Sequence, residues 1–314
     1  MARFIGSRLI TTIPVLLFVS VAVFLMVHLT PGDPVKLMLG EDAGPEAVAA
    51  LQRELGLDRS LPVQYTRWLG DVLTGDLGRS IRTNQPVFEA IVSRLPVTLE
   101  LAFLSMLLAL AVGLPTGILA AIKRNSPVDT ASTTVALLGI SLPSFFVGIL
   151  LILLLAQQLR LLPPSGYVPF REDPVQNLKL MIMPSIALGA ALAGILSRMM
   201  RSSLLEVLGA DYIRTARAKG LNDRRTILGH GLKNALLPVV TVVGLQTGAL
   251  LGGAILTETI FALPGVGRLV IDSIFARDFP MVQGVVLFLA VVRVLSNLVA
   301  DITYVQLDPR ITYT

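Results

Sequence analysis

The stretch 209–238 reads G-A-D-Y-I-R-T-A-R-A-K-G-L-N-D-R-R-T-I-L-G-H-G-L-K-N-A-L-L-P and is a long basic interruption in an apolar sequence. On each side of it lie apolar segments of about 20 residues, long enough to cross a bilayer. Over the wider region 197–234, eight Lys and Arg residues stand against three acidic ones. Such a surplus of positive charge is typical of a cytoplasmic loop between membrane spans.

The composition points to the same class. The 314 residues are 54% hydrophobic and 15% charged, whereas soluble domains have about 25% charged residues. A soluble chain this apolar could not cover its own surface. The chain has no cysteine, which excludes disulfides and thiolate catalysis. We therefore predict an all-α polytopic membrane protein.

Six spans are predicted, with both termini in the cytoplasm; they are Leu9–Leu29, Val97–Ile122, Thr130–Ala156, Leu178–Leu196, Ala235–Leu256 and Gln283–Tyr304. Pro115 predicts a kink in the second span, and Pro143 a kink or widening in the third. The region after the first span predicts two helices, over Pro45–Gly56 and Pro62–Leu73. The division expected is 1–95 (first span and extracytoplasmic loop), 96–305 (core with the coupling loop 197–234) and 306–314 (tail).

Several intramembrane residues are candidates for function. Arg293 is interpreted as the only charge within a span, and it needs an ion partner or a wet cavity there. Gly244, Gly248 and Gly252 recur every four residues, which favours close helix packing, with pore lining as the alternative. Polar candidates for a pathway are Ser141, Ser144, Gln246 and Thr247, although polar side chains in spans more often bond to neighbouring helices.

Within the basic loop, Ala210–Lys219 predicts a short helix, because Asp211 near its start and Lys219 near its end suit the helix dipole. Gly220 supplies a C-cap. We expect Ile213, Ala216 and Tyr212 to share a face that enters a groove on another protein. An ordinary basic turn between spans is the alternative.

The chain lacks the sequence signatures of an enzyme. It has no phosphate-binding G-x-x-x-x-G-K-[ST], no H-E-x-x-H and no G-x-S-x-G. We therefore expect no catalysis, no metal site and no cofactor in this chain. A stand-alone secondary transporter or channel, suggested by Arg293, and a membrane scaffold remain open alternatives.

The loop resembles that of ATP-binding-cassette importer permeases: D-Y-I-R-T-A-R-A-K-G-L (211–221) is followed by N-A-L-L-P-V-V (234–240). More closely, the chain resembles the B-type subunit of the dipeptide/oligopeptide/nickel branch. Blocks similar to that branch occur in the same order, namely P-G-D-P (31–34), G-L-D (56–58), G-D-L-G-R-S (75–80), R-L-P-V-T-L (94–99), E-T-I-F-A-L-P-G-V-G-R-L (258–269), N-L-V-A-D (297–301) and D-P-R (308–310).

That resemblance implies a type I importer permease (MetI-like) fold in the bacterial cytoplasmic membrane and no nucleic-acid partner. It implies a second homologous permease, two ATPase subunits that bind ATP and Mg²⁺, and an extracytoplasmic substrate-binding protein. The residues that it implies for ATPase coupling are Asp211, Tyr212, Arg214, Thr215, Ala216, Arg217 and Gly220. The general family has Glu-Ala-Ala where this chain has Arg214, Thr215 and Ala216, a departure that is common in the peptide branch. The implied cargo is di- or oligopeptide, with nickel chelate, glutathione or oligosaccharide as alternatives.

Overall fold

A computed structural model describes residues 2–29, 35, 44–54 and 56–307. The helices in order are α1 (Ala2–Leu29), α2 (Pro45–Glu54), α3 (Leu61–Leu73), α4 (Val87–Ile122), α5 (Pro127–Ser141), α6 (Ser144–Leu151), the π-helix π1 (Ile152–Gln158), α7 (Pro174–Leu208), α8 (Asp211–Ala218), α9 (Asp223–Arg225), the π-helix π2 (Thr226–Gly231), α10 (Leu232–Ile260), α11 (Val266–Phe275) and α12 (Phe279–Leu307). The predicted P-G-D-P block and most of the predicted tail lie outside the described residues.

Among the residues that the structure describes, four helical stretches are long and apolar enough to cross a membrane, namely α4, α7, Asp223–Leu250 and Phe279–Val299. A fifth results if α5 and the following helical segment Ser144–Gln158 form one span, although they are bent by 105° where they meet at Pro143. The apolar part of α1, Ile10–Met26, is shorter. The all-helical membrane class is therefore confirmed, with four or five such spans, and the expected kink at Pro143 is a full change of direction.

Other expectations need adjustment. The connection predicted over Thr257–Val282 contains a helix, α11, which buries Val266, Leu269 and Val270. Helix α7 extends twelve residues beyond the predicted end of the fourth span. Helix α4 continues through Pro115 without interruption, and the kink predicted there stays a prediction.

The chain forms two compact units. The first comprises Met1–Pro96 and Gly265–Val294. Its core packs the first residues of α4, among them Val87 and Ile91, with α11 and the start of α12. Ser80 donates a hydrogen bond to the buried carboxylate of Asp278, which also accepts one from the Ile81 amide at 3.1 Å. This carboxylate fixes the loop before α4.

Helices α1 and α3 also pack within the first unit. Phe24 lies 5.4 Å from Tyr65 and 5.8 Å from Trp68, measured between ring centroids. The Gln64 side chain accepts a hydrogen bond at 3.0 Å from the His28 ring. The aromatic side chains of α3, the helix predicted over Pro62–Leu73, therefore pack against α1.

The second unit comprises Val97–Pro264 and Leu295–Thr314, and α7 is its central helix. Glycines let α7 touch its neighbours with backbone against backbone. A Cβ on Gly117 of α4 would meet the Ser197 carbonyl oxygen of α7 at 2.4 Å, and one on Gly194 of α7 would meet the Ala136 carbonyl oxygen of α5 at 2.4 Å. Such close approach through small residues is typical of membrane helix packing. The predicted functional division 1–95, 96–305 and 306–314 stays a prediction.

Candidate functional site

The basic stretch forms the short helix α8 between α7 and α10, as the sequence predicts. Asp211 is its first residue, and Gly220 follows its end with φ +84°. A positive φ costs little for glycine and more for residues with a Cβ, so this glycine ends the helix cleanly.

Helix α8 is anchored to its own unit from one side. The Ile213 side chain is fully buried. The Asn234 side-chain amide at the start of α10 donates a hydrogen bond to the Tyr212 hydroxyl at 2.9 Å. Nearby, the Ser203 hydroxyl of α7 donates to the Ala235 carbonyl of α10 at 2.9 Å, which joins the two helices that flank α8.

The opposite face of α8 is open. Arg214, Thr215 and Ala218 are exposed, with 70% of the Arg214 side chain accessible. The expectation that Ile213 shares an outward, groove-entering face is wrong, because Ile213 packs inward and Ala216 is half-buried beside it. The face available to a partner is instead centred on Thr215, half a turn from Ile213.

Ion pairs shape the surroundings of α8. Arg214 lies 3.3 Å from Asp211 within the helix, and Arg217 lies 3.2 Å from Asp223 in the following turn. Exposed pairs of this kind contribute little stability, so their role is to orient side chains.

A stronger pair joins the same end of the unit. The Arg201 guanidinium of α7 donates two hydrogen bonds to the Asp129 carboxylate of α5, at 2.6 and 2.8 Å. Asp129 also accepts from the Asn125 amide at 2.9 Å and is itself buried. This two-point contact fixes the first turn of α5 to the α7 segment that leads into α8.

The polar pathway candidates fall at two places. Ser141 is the last residue of α5 and is exposed, while Ser144 is the first residue of α6 and is half-buried, so they flank the 105° bend. Gln246 and Thr247 lie on α10, where Thr247 donates to the Val243 carbonyl at 2.9 Å. Their contact with a cargo stays a prediction.

The predicted glycine stripe on α10 has a mixed environment. Gly248 is buried and Gly244 half-buried, but Gly252 is exposed, and a Cβ there would meet nothing within 4 Å. Close packing at Gly252 therefore does not occur against the described part of this chain. A role for the stripe in packing on another subunit stays a prediction.

Arg293 on α12 is exposed and forms no ion pair with a described residue. The expectation that it is the only intramembrane charge is wrong. Helix α4 carries Glu100 within the predicted second span, and α10 carries Glu258 in its last turn. Glu258 is fully buried and accepts a hydrogen bond from Thr98 at 2.6 Å.

Glu100 has a fixed partner in the loop before α7. The Tyr167 hydroxyl donates a hydrogen bond to Glu100 Oε2 at 2.7 Å. Burial, together with this hydrogen bond to a carboxylate, raises the pKa of Tyr167. Because a deprotonated phenol would lose the bond and face a carboxylate, Tyr167 remains a hydrogen-bond donor. A carboxylate at the edge of an apolar run is the sequence signal for this pair.

Within the described residues, no group of three or more His, Cys, Asp or Glu side chains is arranged to hold a metal ion. The geometry instead provides a short cationic helix that is braced on one side and open on the other. Such a helix can transmit a force from a bound partner to the membrane helices on both sides of it.

Comparison with known families is decisive. Residues 113–313 match the family model described as the binding-protein-dependent transport system inner membrane component. Residues 1–102 match the N-terminal model of binding-protein-dependent transport system membrane components. The chain belongs to this family. The permease is therefore a multi-pass protein of the inner membrane.

Similar curated proteins cover the whole permease. It is 46% identical over 337 residues to the dipeptide transport system permease protein DppB of Escherichia coli (strain K12), with 100% of this chain and 99% of that protein covered. It is 44% identical over 313 residues to a putative peptide transport system permease protein of Brucella abortus (strain 2308), with both chains fully covered. It is also 44% identical over 334 residues to the dipeptide transport system permease protein DppB of Alkalihalophilus pseudofirmus, again with both fully covered.

Solved structures support the fold. An inward-facing structure of the MetNI methionine ABC transporter matches with a TM-score of 0.56 and 18% identity, over 69% of the permease and 96% of that chain. An amino acid ABC transporter crystallised with histidines matches with a TM-score of 0.52 and 15% identity, over 69% and 94%. The permease therefore has the fold of ABC importer permeases.

Proposed function

We propose that the chain is one permease subunit of an ATP-driven importer and forms half of a pathway for di- or oligopeptides. A second homologous permease forms the other half, and an extracytoplasmic binding protein delivers the cargo. Two ATPase subunits bind ATP and Mg²⁺ and hydrolyse the nucleotide, so this chain catalyses no reaction. The naming of the 44–46% identical relatives as dipeptide or peptide permeases supports the cargo class.

The observation that carries the coupling role is the anchoring of α8. Its inner side is fixed by the buried Ile213 and by the Tyr212–Asn234 hydrogen bond, while Arg214 and Thr215 face outward. An ATPase that holds the outer face therefore moves α7 and α10 with it. Gly220 ends the helix through its positive φ, and Arg217 pairs with Asp223 in the turn that follows.

Six spans with both termini in the cytoplasm remain our proposal for the topology. This count takes the bent α5 to π1 segment as one span and includes α1 despite its shorter apolar part. The eight Lys and Arg residues of 197–234 support a cytoplasmic position of α8, the side on which the proposed ATPases would bind.

The bend at Pro143 supports a pathway beside it. Non-helical backbone at membrane depth is tolerated where it is buried in protein or lines a water-filled cavity, because lipid offers no hydrogen-bond partners. Broken helices of transporters commonly form substrate sites for this reason. Ser141 and Ser144, which flank the bend, are therefore our candidates for lining, with Gln246 and Thr247 on α10.

The test uses the permease assembled with its partner subunits in proteoliposomes. Arg214→Glu reverses an exposed charge on the outer face, and Arg224→Glu makes the same change on α9 as a matched control. We expect Arg214→Glu to lower cargo-stimulated ATP hydrolysis and peptide uptake about tenfold, as for an interface residue that contributes about 1.4 kcal/mol. If both variants lower ATP hydrolysis and uptake equally, or if Arg214→Glu lowers neither, the proposal that α8 is the coupling element is refuted.

The same preparation tests the cargo. Uptake of a labelled dipeptide, measured beside nickel chelate, glutathione and an oligosaccharide, distinguishes the proposed cargo from the alternatives. Uptake by this chain alone without ATP would instead indicate a stand-alone transporter.

A further inference from the structure

Glu100 presents a buried carboxylate oxygen to which no group of the described residues donates. Its Oε2 atom accepts the hydrogen bond from Tyr167, whereas Oε1 is enclosed and has no hydrogen-bond partner among the described residues. No described Lys or Arg forms an ion pair with it. Because a buried carboxylate is costly unless it is paired, intramembrane carboxylates commonly mark the path of a ligand or ion.

Three further hydroxyl groups in the same unit share this property; one of them, Thr226, lies in π2 beside α8, and the other two lie at the opposite end of the unit. Ser185 on α7 and Thr257 on α10 are each 1% exposed, and neither hydroxyl oxygen has a hydrogen-bond partner among the described residues. Hydroxyl groups in helices commonly bond to the carbonyl four residues earlier, as Ser105 does with Leu101 at 2.7 Å. Ser185 and Thr257 therefore retain unused bonding capacity inside the helix bundle.

Helix register places these groups at one level. Helices α4 and α7 run in the same direction, with Gly189 against Ser105 and Gly117 against Ser197. Ser185, one turn before Gly189, is therefore level with the segment of α4 next to Glu100.

Helix α10 reaches the same level. Thr257 precedes Glu258, whose carboxylate accepts from Thr98, and Thr98 lies two residues before Glu100. The unpartnered oxygens of Glu100, Ser185 and Thr257 thus come from three neighbouring helices, at the end of the unit opposite α8.

The Tyr167 loop is held in place from several sides. The Gly166 amide donates to the Phe261 carbonyl at 3.0 Å, and the Asn177 side chain donates to the Val168 carbonyl at 2.8 Å. Tyr167 is therefore positioned before any ligand arrives. Its bond to Oε2 fixes the carboxylate plane and leaves Oε1 as the acceptor.

We propose that Glu100, Ser185 and Thr257 form a transient binding site for the α-ammonium group of the peptide cargo. An ammonium group has three N–H donors and a positive charge, which match one carboxylate oxygen and two hydroxyl oxygens. In the conformation described, Oε1 is closed off, so the cargo reaches it only when α4, α7 and α10 separate at this end. Cargo binding then stabilises the separated arrangement by supplying the missing donor, which links cargo arrival to opening.

This inference rests on the proposed function. The first test treats the assembled complex, in each nucleotide state, with the hydrophobic carbodiimide N,N′-dicyclohexylcarbodiimide. It measures whether the cargo protects the Glu100 carboxylate from this reagent. Labelling is read by mass spectrometry of the peptide that contains Glu100. We expect L-alanyl-L-alanine to prevent labelling and its N-acetyl derivative, which lacks the ammonium group, to leave labelling unchanged. Equal protection by both peptides, or no labelling in any nucleotide state, would overturn the site.

The second test compares Glu100→Gln with Glu89→Gln, which neutralises an exposed carboxylate on the same helix. We expect Glu100→Gln to lower dipeptide uptake about tenfold or more, because it removes a charge-assisted hydrogen bond, and to leave cargo-free ATP hydrolysis at the wild-type level. Glu89→Gln should leave both uptake and ATP hydrolysis at wild-type levels. Dipeptide uptake at the wild-type level by Glu100→Gln would refute the proposed binding site and leave the proposed function of the chain intact. A fall in cargo-free ATP hydrolysis in Glu100→Gln, with the wild-type Glu100 labelled equally in the presence and absence of L-alanyl-L-alanine, would refute the site and assign Glu100 to a contact with a partner subunit. Failure of the unaltered complex to take up any dipeptide refutes the proposed function instead.

Discussion

Replacing Ile213 by alanine should release α8 from its unit. Ile213 is fully buried outside the membrane spans, so its burial is driven by water exclusion. The change removes three carbons at about 0.8 kcal/mol each, or about 2.4 kcal/mol, and a residual cavity would raise the cost towards about 5 kcal/mol. At RT of about 0.6 kcal/mol, the smaller figure favours local opening of α8 by roughly 60-fold.

Two further variants make the expected effect quantitative. Ile213→Val removes one carbon and should favour opening only about fourfold, from about 0.8 kcal/mol. Thr215→Ala on the exposed face is the control, since exposed substitutions usually change stability by less than about 0.5 kcal/mol. We therefore expect local opening of α8 to increase much more in Ile213→Ala than in Ile213→Val, and to stay near the wild-type level in Thr215→Ala.

Hydrogen exchange of the α8 amides, followed by mass spectrometry in detergent or nanodiscs, measures this opening directly. The amides of the buried segment Leu188–Leu196 in α7 provide an internal reference. We expect faster exchange in α8 alone, together with weaker coupling of ATP hydrolysis to uptake. Unchanged α8 exchange in Ile213→Ala, or an equal increase in Thr215→Ala, would show that burial of Ile213 does not hold the helix.

Two other contacts give predictions for the isolated subunit, measured as thermal unfolding in detergent. Gly117→Ala places a Cβ at 2.4 Å from the Ser197 carbonyl oxygen and should destabilise the fold by about 1–3 kcal/mol. Gly252→Ala is the control, because a Cβ there meets nothing within 4 Å and should not destabilise the fold. Equal melting temperatures of the two variants would disprove the close α4–α7 contact. Asp278→Ala leaves the buried Ser80 hydroxyl without its acceptor and should cost about 1–3 kcal/mol, a loss that Asp278→Asn should partly restore.

Local signals in the sequence were sufficient to predict the presence and the ends of α8. Asp211 in the first turn suits the helix dipole, and Gly220 after the last turn accepts the positive φ that ends the helix. Both effects are local, so they can be predicted without knowledge of the tertiary fold. The orientation of the helix was not accessible in this way. Whether Ile213 faces inward or outward depends on what α10 and π2 offer beside it.

Helix α11 shows a signal that the sequence contained. Val266, Leu269, Val270 and Ser273 follow the helical spacing and are all buried. The prediction of a loop between the fifth and sixth spans did not use this periodicity. Similarly, Pro143 predicted a kink, but the angle of 105° depends on how α6 packs against α7.

The paired glycines could not be predicted as contacts. A Cβ would meet a backbone atom of another helix at each of four glycines, namely Gly113, Gly117, Gly189 and Gly194. The sequence does not identify which helix that is. The stripe at Gly244, Gly248 and Gly252 had the clearer spacing, yet Gly252 has open space around it. Regular spacing indicates a smooth helix face, and only the fold shows what lies against that face.

Helix α7 has a mechanical consequence of its own. Its 35 residues form one continuous helix of about 52 Å, from the Tyr167 loop to the start of α8, with Pro184 inside it. A tilt of only about 10° about one end of this helix displaces the other end by about 9 Å. Because displacement grows with distance from the pivot, a tilt of α7 about its α8 end would move the Tyr167 end of the same unit far more than it moves α8.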